Sequence, residues 1–150
     1  MTPRICNPHA LAPEAVRAMA ALEQSFTHSG LDHNLLELVK FRVSQINGCA
    51  FCLHMHSGDL RRHGETELRL YMLTAWREST LYTDRERAAL GWAEALTRLP
   101  ETQAPDVDYD ALAAAFTPGE QVWLTMAIGA INIWNRVQVG FRVPHPVDDG

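Results

Sequence analysis

Cysteine is scarce in this chain, three residues in 150, and that excludes a disulfide-stapled extracellular framework. The start, Met1-Thr2-Pro3-Arg4-Ile5-Cys6-Asn7-Pro8, lacks the apolar core of a secretion signal. A reducing cytoplasm is therefore the expected compartment, where a close cysteine pair is more often catalytic or metal-binding than structural. No apolar run approaches the ~20 residues of a membrane span. Basic residues are scattered singly and the net charge is −5, so no nucleic-acid surface is expected. Also missing are a Gly-rich phosphate loop, a flavin or nicotinamide fingerprint and a Ser-His-Asp constellation, and no cofactor is expected. Strand alternation is absent too; Val137 to Val143 is β-rich in composition but short. What is present is an ordinary globular composition, 47% hydrophobic and 21% charged, in one domain large enough for a core. The fold class is all-α.

Helix signals punctuate the whole chain. Pro13-Glu14 opens a helical stretch ending near Gly30, with Val16, Met19, Leu22 and Phe26 at helical spacing. Asp32 can cap a helix running to Asn47, with Gly48 as its stop. Leu35, Leu36, Leu38, Val39, Val43 and Ile46 form its apolar face, and Glu37, Lys40, Phe41 and Ser44 lie opposite. A further helix starts near Cys49 and ends near Gly64, and another fits Thr66 to Glu78, with Leu68, Tyr71, Met72 and Ala75 on one face and Trp76 beside them. Thr83-Asp84-Arg85-Glu86 has the capping-box pattern and starts a helix reaching Leu99, which Pro100 ends. Glu101 to Asp108 reads as loop and Tyr109 to Phe116 as a short helix. Thr117-Pro118-Gly119-Glu120 then caps a helix apolar nearly all round, which must be buried centrally or between subunits.

The chemistry concentrates in Asn47-Gly48-Cys49-Ala50-Phe51-Cys52-Leu53-His54-Met55-His56. At about 100° per helical residue, Cys52 lies about 60° from Cys49 and His56 about 20° from it, so two sulfurs and an imidazole share one face. Unpaired first-turn N–H groups and the helix dipole stabilise a thiolate there. A neighbouring imidazole can take a thiol proton, and the C-x-x-C spacing permits a small disulfide ring. Three readings stay open on these residues: a redox pair, a zinc site and inert cysteines. Zinc normally needs four ligands, and His54 points about 160° away from His56. A thioredoxin fold needs a strand leading into its C-x-x-C helix, whereas here a helix leads in.

With Glu37, eleven intervening residues, then Cys49-x-x-Cys52-x-x-x-His56, the chain resembles the AhpD-like branch of the carboxymuconolactone decarboxylase family. Ser44 to Cys52, Ala75 to Glu78, Glu86 to Leu90 and Ile131 to Arg136 carry the likeness, which covers about Leu35 to Arg142 of a single domain spanning 1–150. The resemblance implies an AhpD-like helical bundle that assembles into trimers or hexamers of dimers. It also implies peroxide reduction through the cysteine pair, with Cys52 attacking, Cys49 resolving, Glu37 and His56 as proton relay, and a thiol or dihydrolipoyl reductant. The best-understood relatives carry a second histidine between the cysteines, where this chain has Phe51. The lactone decarboxylases that name the family generally lack the cysteine pair. From periodicity alone Glu37 belongs to a solvated pair with Lys40; the family match favours the relay role, with its face covered by another helix in an oligomer. His54 is expected at the surface or an interface, His63 at a helix end, the four tryptophans in core or subunit contacts, and Asn132 and Asn135 in structural hydrogen bonds.

Overall fold

Asp32 opens the helix on which everything else packs. Its carboxylate accepts the backbone N–H of Leu35 at 3.0 Å, satisfying one of the unpaired donors of the first turn. The computed structural model describes residues 1–147. Its helices are α1 Pro8–Leu11, α2 Pro13–Ser25, α3 His33–Asn47, α4 Ala50–Arg62, α5 Glu67–Met72, α6 Asp84–Thr97, α7 Leu99–Thr102, α8 Asp106–Ala115 and α9 Pro118–Phe141. Single 3-10 turns follow α2 at Phe26–His28 and α5 at Leu73–Ala75. No strand occurs among the described residues, so the all-α reading holds.

Every residue of α3 from Leu35 to Ser44 is buried, because two apolar cores meet on this helix. Leu35, Leu36, Val39 and Val43 enter a core with Ala89 and Trp92 of α6, Leu112 of α8 and Leu124, Ile128 and Ile131 of α9. Leu38 and Phe41 enter a second core with Leu60, Leu70, Leu73, Trp76, Tyr82 and Leu90. Each fully buried Leu or Ile is worth about 1.5–3 kcal/mol, so α3 is clamped from both sides. That clamp corrects the picture of a wet Glu37 face. Glu37, Lys40 and Ser44 are buried within one chain, with α4 and not another subunit supplying the cover.

The turn between α3 and α4 is built from the Asn-Gly break. Gly48 takes the left-handed conformation at φ 64°, and Cys49 N–H reaches back to the Ser44 carbonyl at 3.0 Å. This closes α3 and leaves Cys49 in extended conformation as the N-cap of α4. Only glycine adopts that φ without a steric penalty. Gly48→Ala should therefore cost about 1–2 kcal/mol, read as a lower urea midpoint with unchanged m-value.

Elsewhere local signals and packing part company. Both capping boxes form, at Thr83 with Glu86 and at Thr117 with Glu120. The expected Thr66–Glu78 helix is α only to Met72, and its predicted face is wrong: Leu68 and Tyr71 are exposed, whereas Leu70 and Leu73 are buried, together with Trp76, which was expected beside that face. Pro100 does not simply end α6; it sits in the first turn of α7, and α8 begins inside the expected loop. Val137 to Phe141 continue α9 as helix despite their β-rich composition. α9 itself is buried on one side only, since Val122, Met126 and Ile133 are exposed.

Candidate active site

Cys49 and Cys52 lie where α3 hands the chain to α4, each about 1% exposed. Their sulfurs are 2.7 Å apart, both cysteines are free, and Cys49 Sγ also accepts the backbone N–H of Cys52 at 3.4 Å. The thiol hydrogen bond from Cys52, opposed by burial and helped by backbone N–H groups and Asn135, brings the Cys49 pKa down to about 7. Holding that hydrogen bond, together with burial and the adjacent Cys49 charge, pushes the Cys52 thiol far up, against small pulls from Asn135 and Ser44. The pair therefore shares one proton near neutral pH, and the N-cap position of Cys49, with the Cys52 backbone N–H on its sulfur, favours the negative charge there.

His56 is buried on the same ridge as Cys52, one turn along α4. Its Nδ1 meets Glu37 Oε2 at 2.6 Å. Lys40 binds the other Glu37 oxygen at 3.2 Å and Glu23 of α2 at 2.8 Å. Burial works against the Glu37 charge, but the His56 hydrogen bond and the Lys40 cation overcome it and bring the pKa down to about 2. An ionised carboxylate can only accept, so the Nδ1 of His56 carries the hydrogen. In the neutral imidazole Nε2 then presents a lone pair, and that atom is buried with no hydrogen-bond partner among the described residues. A base held in a fixed tautomer by a carboxylate, one helical turn from a thiol of the pair, is an arrangement for moving a proton.

Ser44 and Asn135 also belong here, although the sequence reading left them out of the site. Asn47 Nδ2 donates to Asn132 Oδ1 at 3.0 Å and to Asn135 Oδ1 at 2.9 Å. That frees the Asn135 amide to donate to Ser44 Oγ at 3.1 Å and to act on both thiols. The expected structural bonding of the two asparagines is present, and Asn135 is also part of the thiol environment. A polar residue in an apolar helix, within the stretch Ile131–Arg136, was the available signal.

The weaker candidates sort as follows. His63 caps the end of α4, as expected. His54 faces away from the relay, partly buried, its ring stacked on His145 at 5.6 Å. Trp76 and Trp92 are buried, Trp123 and Trp134 partly so, and Cys6 is exposed in the tail. Among the described residues no group of three or more His, Cys, Asp or Glu is placed to hold a metal ion, and no helix is long and apolar enough to cross a membrane.

The sequence profile of the carboxymuconolactone decarboxylase family matches residues 13–95. The chain belongs to that family. Among family relatives, YdfG of Bacillus subtilis is 40% identical over 129 residues, 86% of this chain and 88% of that protein. The Agrobacterium tumefaciens protein ATU0492, a candidate AhpD antioxidant defence protein, is 48% identical with a TM-score of 0.93, covering 98% of this chain and 100% of that one. The fold is thus AhpD-like, as the resemblance implies. The debrominase Bmp8 has the same fold at TM-score 0.82 and 19% identity, over 92% of this chain and 74% of that one.

Proposed function

We propose that this carboxymuconolactone decarboxylase family member is a thiol-dependent peroxidase of the AhpD kind, working in the reducing cytoplasm, with Cys49 and Cys52 as its redox pair. The observation that carries this reading is the pair itself: two buried free thiols in contact at the head of the helix that also carries a carboxylate-oriented imidazole one turn on. Cys49 thiolate attacks the distal peroxide oxygen; the S–O bond forms, the O–O bond breaks, and the leaving alkoxide or hydroxide takes a proton from water. His56 Nε2, which makes no hydrogen bond to Cys52 in this structure, then accepts the Cys52 proton through an intervening water while Glu37 stabilises the imidazolium. Cys52 thiolate attacks the Cys49 sulfenic acid, the disulfide forms, and the departing hydroxide regains the proton from His56 as water. A thiol or dihydrolipoyl reductant restores both thiols. This order exchanges the roles that the resemblance implies, and what supports it is the place of Cys49 at the N-cap of α4, where its sulfur accepts the backbone N–H of Cys52.

Peroxide consumption with dithiothreitol or dihydrolipoamide, comparing the native chain with Cys49→Ser, tests the proposal. Turnover should fall on the order of a hundredfold in the variant, since the attacking thiol is gone. Equal turnover in both proteins would sink it.

Self-association is part of the same proposal. Val122, Met126, Gly129, Ile133 and Gly140 fall on one stripe of α9, and the first, second and fourth are exposed apolar side chains. Nothing lies within 4 Å of a Cβ built at Gly129 or Gly140, so a second helix can approach closely. We expect a homo-oligomer, a trimer or a hexamer of dimers. Sedimentation should give a multiple of 16.8 kDa at micromolar concentration, and the monomer mass would count against it.

A further inference from the structure

Cys49 lines a groove of about 570 Å³ between the start of α4 and the end of α9, a space the chemistry above leaves unassigned. Its wall includes the apolar side chains of Phe51, Val139, Val143 and Pro144. The ionisable side chains that share it with Cys49 are Arg4, Arg142 and His145. Among the described residues no Asp or Glu lines it, although the whole chain carries a net charge of −5. Arg4 is fixed in place, its backbone N–H donating to the Phe141 carbonyl at 3.0 Å and its guanidinium to Gly140 at 2.9 Å. Arg142, in the left-handed conformation at φ 55° just past α9, has a guanidinium that pairs with no described residue. Gln138 also lines the groove; it is 6% exposed, and its Oε1 receives no hydrogen bond from the described residues.

These features ask for a ligand with an apolar body, an anionic end and an O–H donor beside the sulfur. We propose that the groove binds an organic hydroperoxide bearing a carboxylate, of the fatty-acid hydroperoxide class. The carboxylate lies toward Arg142 and the hydroperoxide O–H toward Gln138 and Cys49. This rests on the thiol-peroxidase reading. The reacting step is the one already written: the Cys49 sulfur takes the distal oxygen, the O–O bond breaks, and the alkoxide leaves as the alcohol after gaining a proton from water. Hydrogen peroxide has neither the apolar body nor the charge, so it gains nothing from the groove.

The test compares kcat/KM for a carboxylate-bearing alkyl hydroperoxide, its methyl ester and hydrogen peroxide, with dithiothreitol as reductant. The native protein should favour the acid over the ester by about tenfold or more, the effect of one hydrogen bond to a charged group. Arg142→Gln should bring the acid down to the ester's level and leave hydrogen peroxide unchanged. Equal rates for acid and ester in the native protein, or an equal loss on hydrogen peroxide, would overturn the assignment. A second readout does not require turnover: octanoate, but not octanol, should slow iodoacetamide labelling of Cys49, and Arg142→Gln should abolish the protection. Protection without turnover on any peroxide leaves the groove assignment standing and removes the peroxidase reading. Turnover without protection removes the groove assignment alone.

Discussion

Cys49→Ser is expected to react with peroxide on the order of a hundredfold more slowly than the native chain, whereas Cys52→Ser keeps a single rapid oxidation at Cys49. The thiolate population at each sulfur sets the rate. With its pKa brought down to about 7, Cys49 is close to half ionised at neutral pH. Cys52 left alone keeps its burial, which disfavours the thiolate, and a thiol at the ordinary pKa of 9.0 is ionised to about 1% at pH 7. In Cys52→Ser the new hydroxyl can still donate to the Cys49 sulfur, so the acidic site survives. The native reaction should rise with pH through about 7 and level off above it, being lost as Cys49 is protonated below that value. Trapping of sulfenic acid with mass mapping decides the matter. Fast oxidation at Cys52 in Cys49→Ser, with a slow Cys52→Ser, would restore the order that the resemblance implies.

Glu37→Gln should be the most damaging change away from the sulfurs, in two separable ways. The buried carboxylate is bound by both His56 and Lys40, and its removal leaves Lys40 with Glu23 alone in a dry setting. Breaking such a network costs about 3–5 kcal/mol. The amide also no longer stabilises an imidazolium at His56, so disulfide formation should slow by about 10²-fold or more. Because the folded-state pKa of Glu37 is brought down from 4.5 to about 2, its contribution is complete above pH 4.5 and disappears as pH falls toward 2. The native chain should lose on the order of 3 kcal/mol across that window, and Glu37→Gln should lack this component. Urea unfolding at several pH values checks the first effect and stopped-flow disulfide formation the second. A variant of native stability that also closes its disulfide at the native rate would remove Glu37 from the account.

What could be read in advance followed from short-range chemistry. Asp32, Gly48, Thr83 and Thr117 act on backbone groups within a few residues, so their caps and stops were visible in the sequence. The C-x-x-C pair and His56 share a face by helical geometry alone. Glu37 was not placed by periodicity, because α3 is enclosed by two cores and has no wet side. The same long-range packing decided which face of α5 is buried, where Leu70 and Leu73 meet Trp76 and Leu90. Ser44 and Asn135 entered the site because α9 crosses the α3–α4 turn, a contact between residues separated by 91 positions in sequence. No local pattern reports a meeting of that kind.

The most direct measurement is a free-thiol count on metal-free protein before and after one equivalent of hydrogen peroxide. The chain has three cysteines, of which Cys6 stands exposed in the tail and Cys49 and Cys52 form the buried pair. The account predicts that two thiols per chain disappear, that peptide mapping finds the Cys49–Cys52 disulfide within one chain, and that Cys6 keeps its thiol. Retention of all three thiols, or loss confined to Cys6, would contradict it.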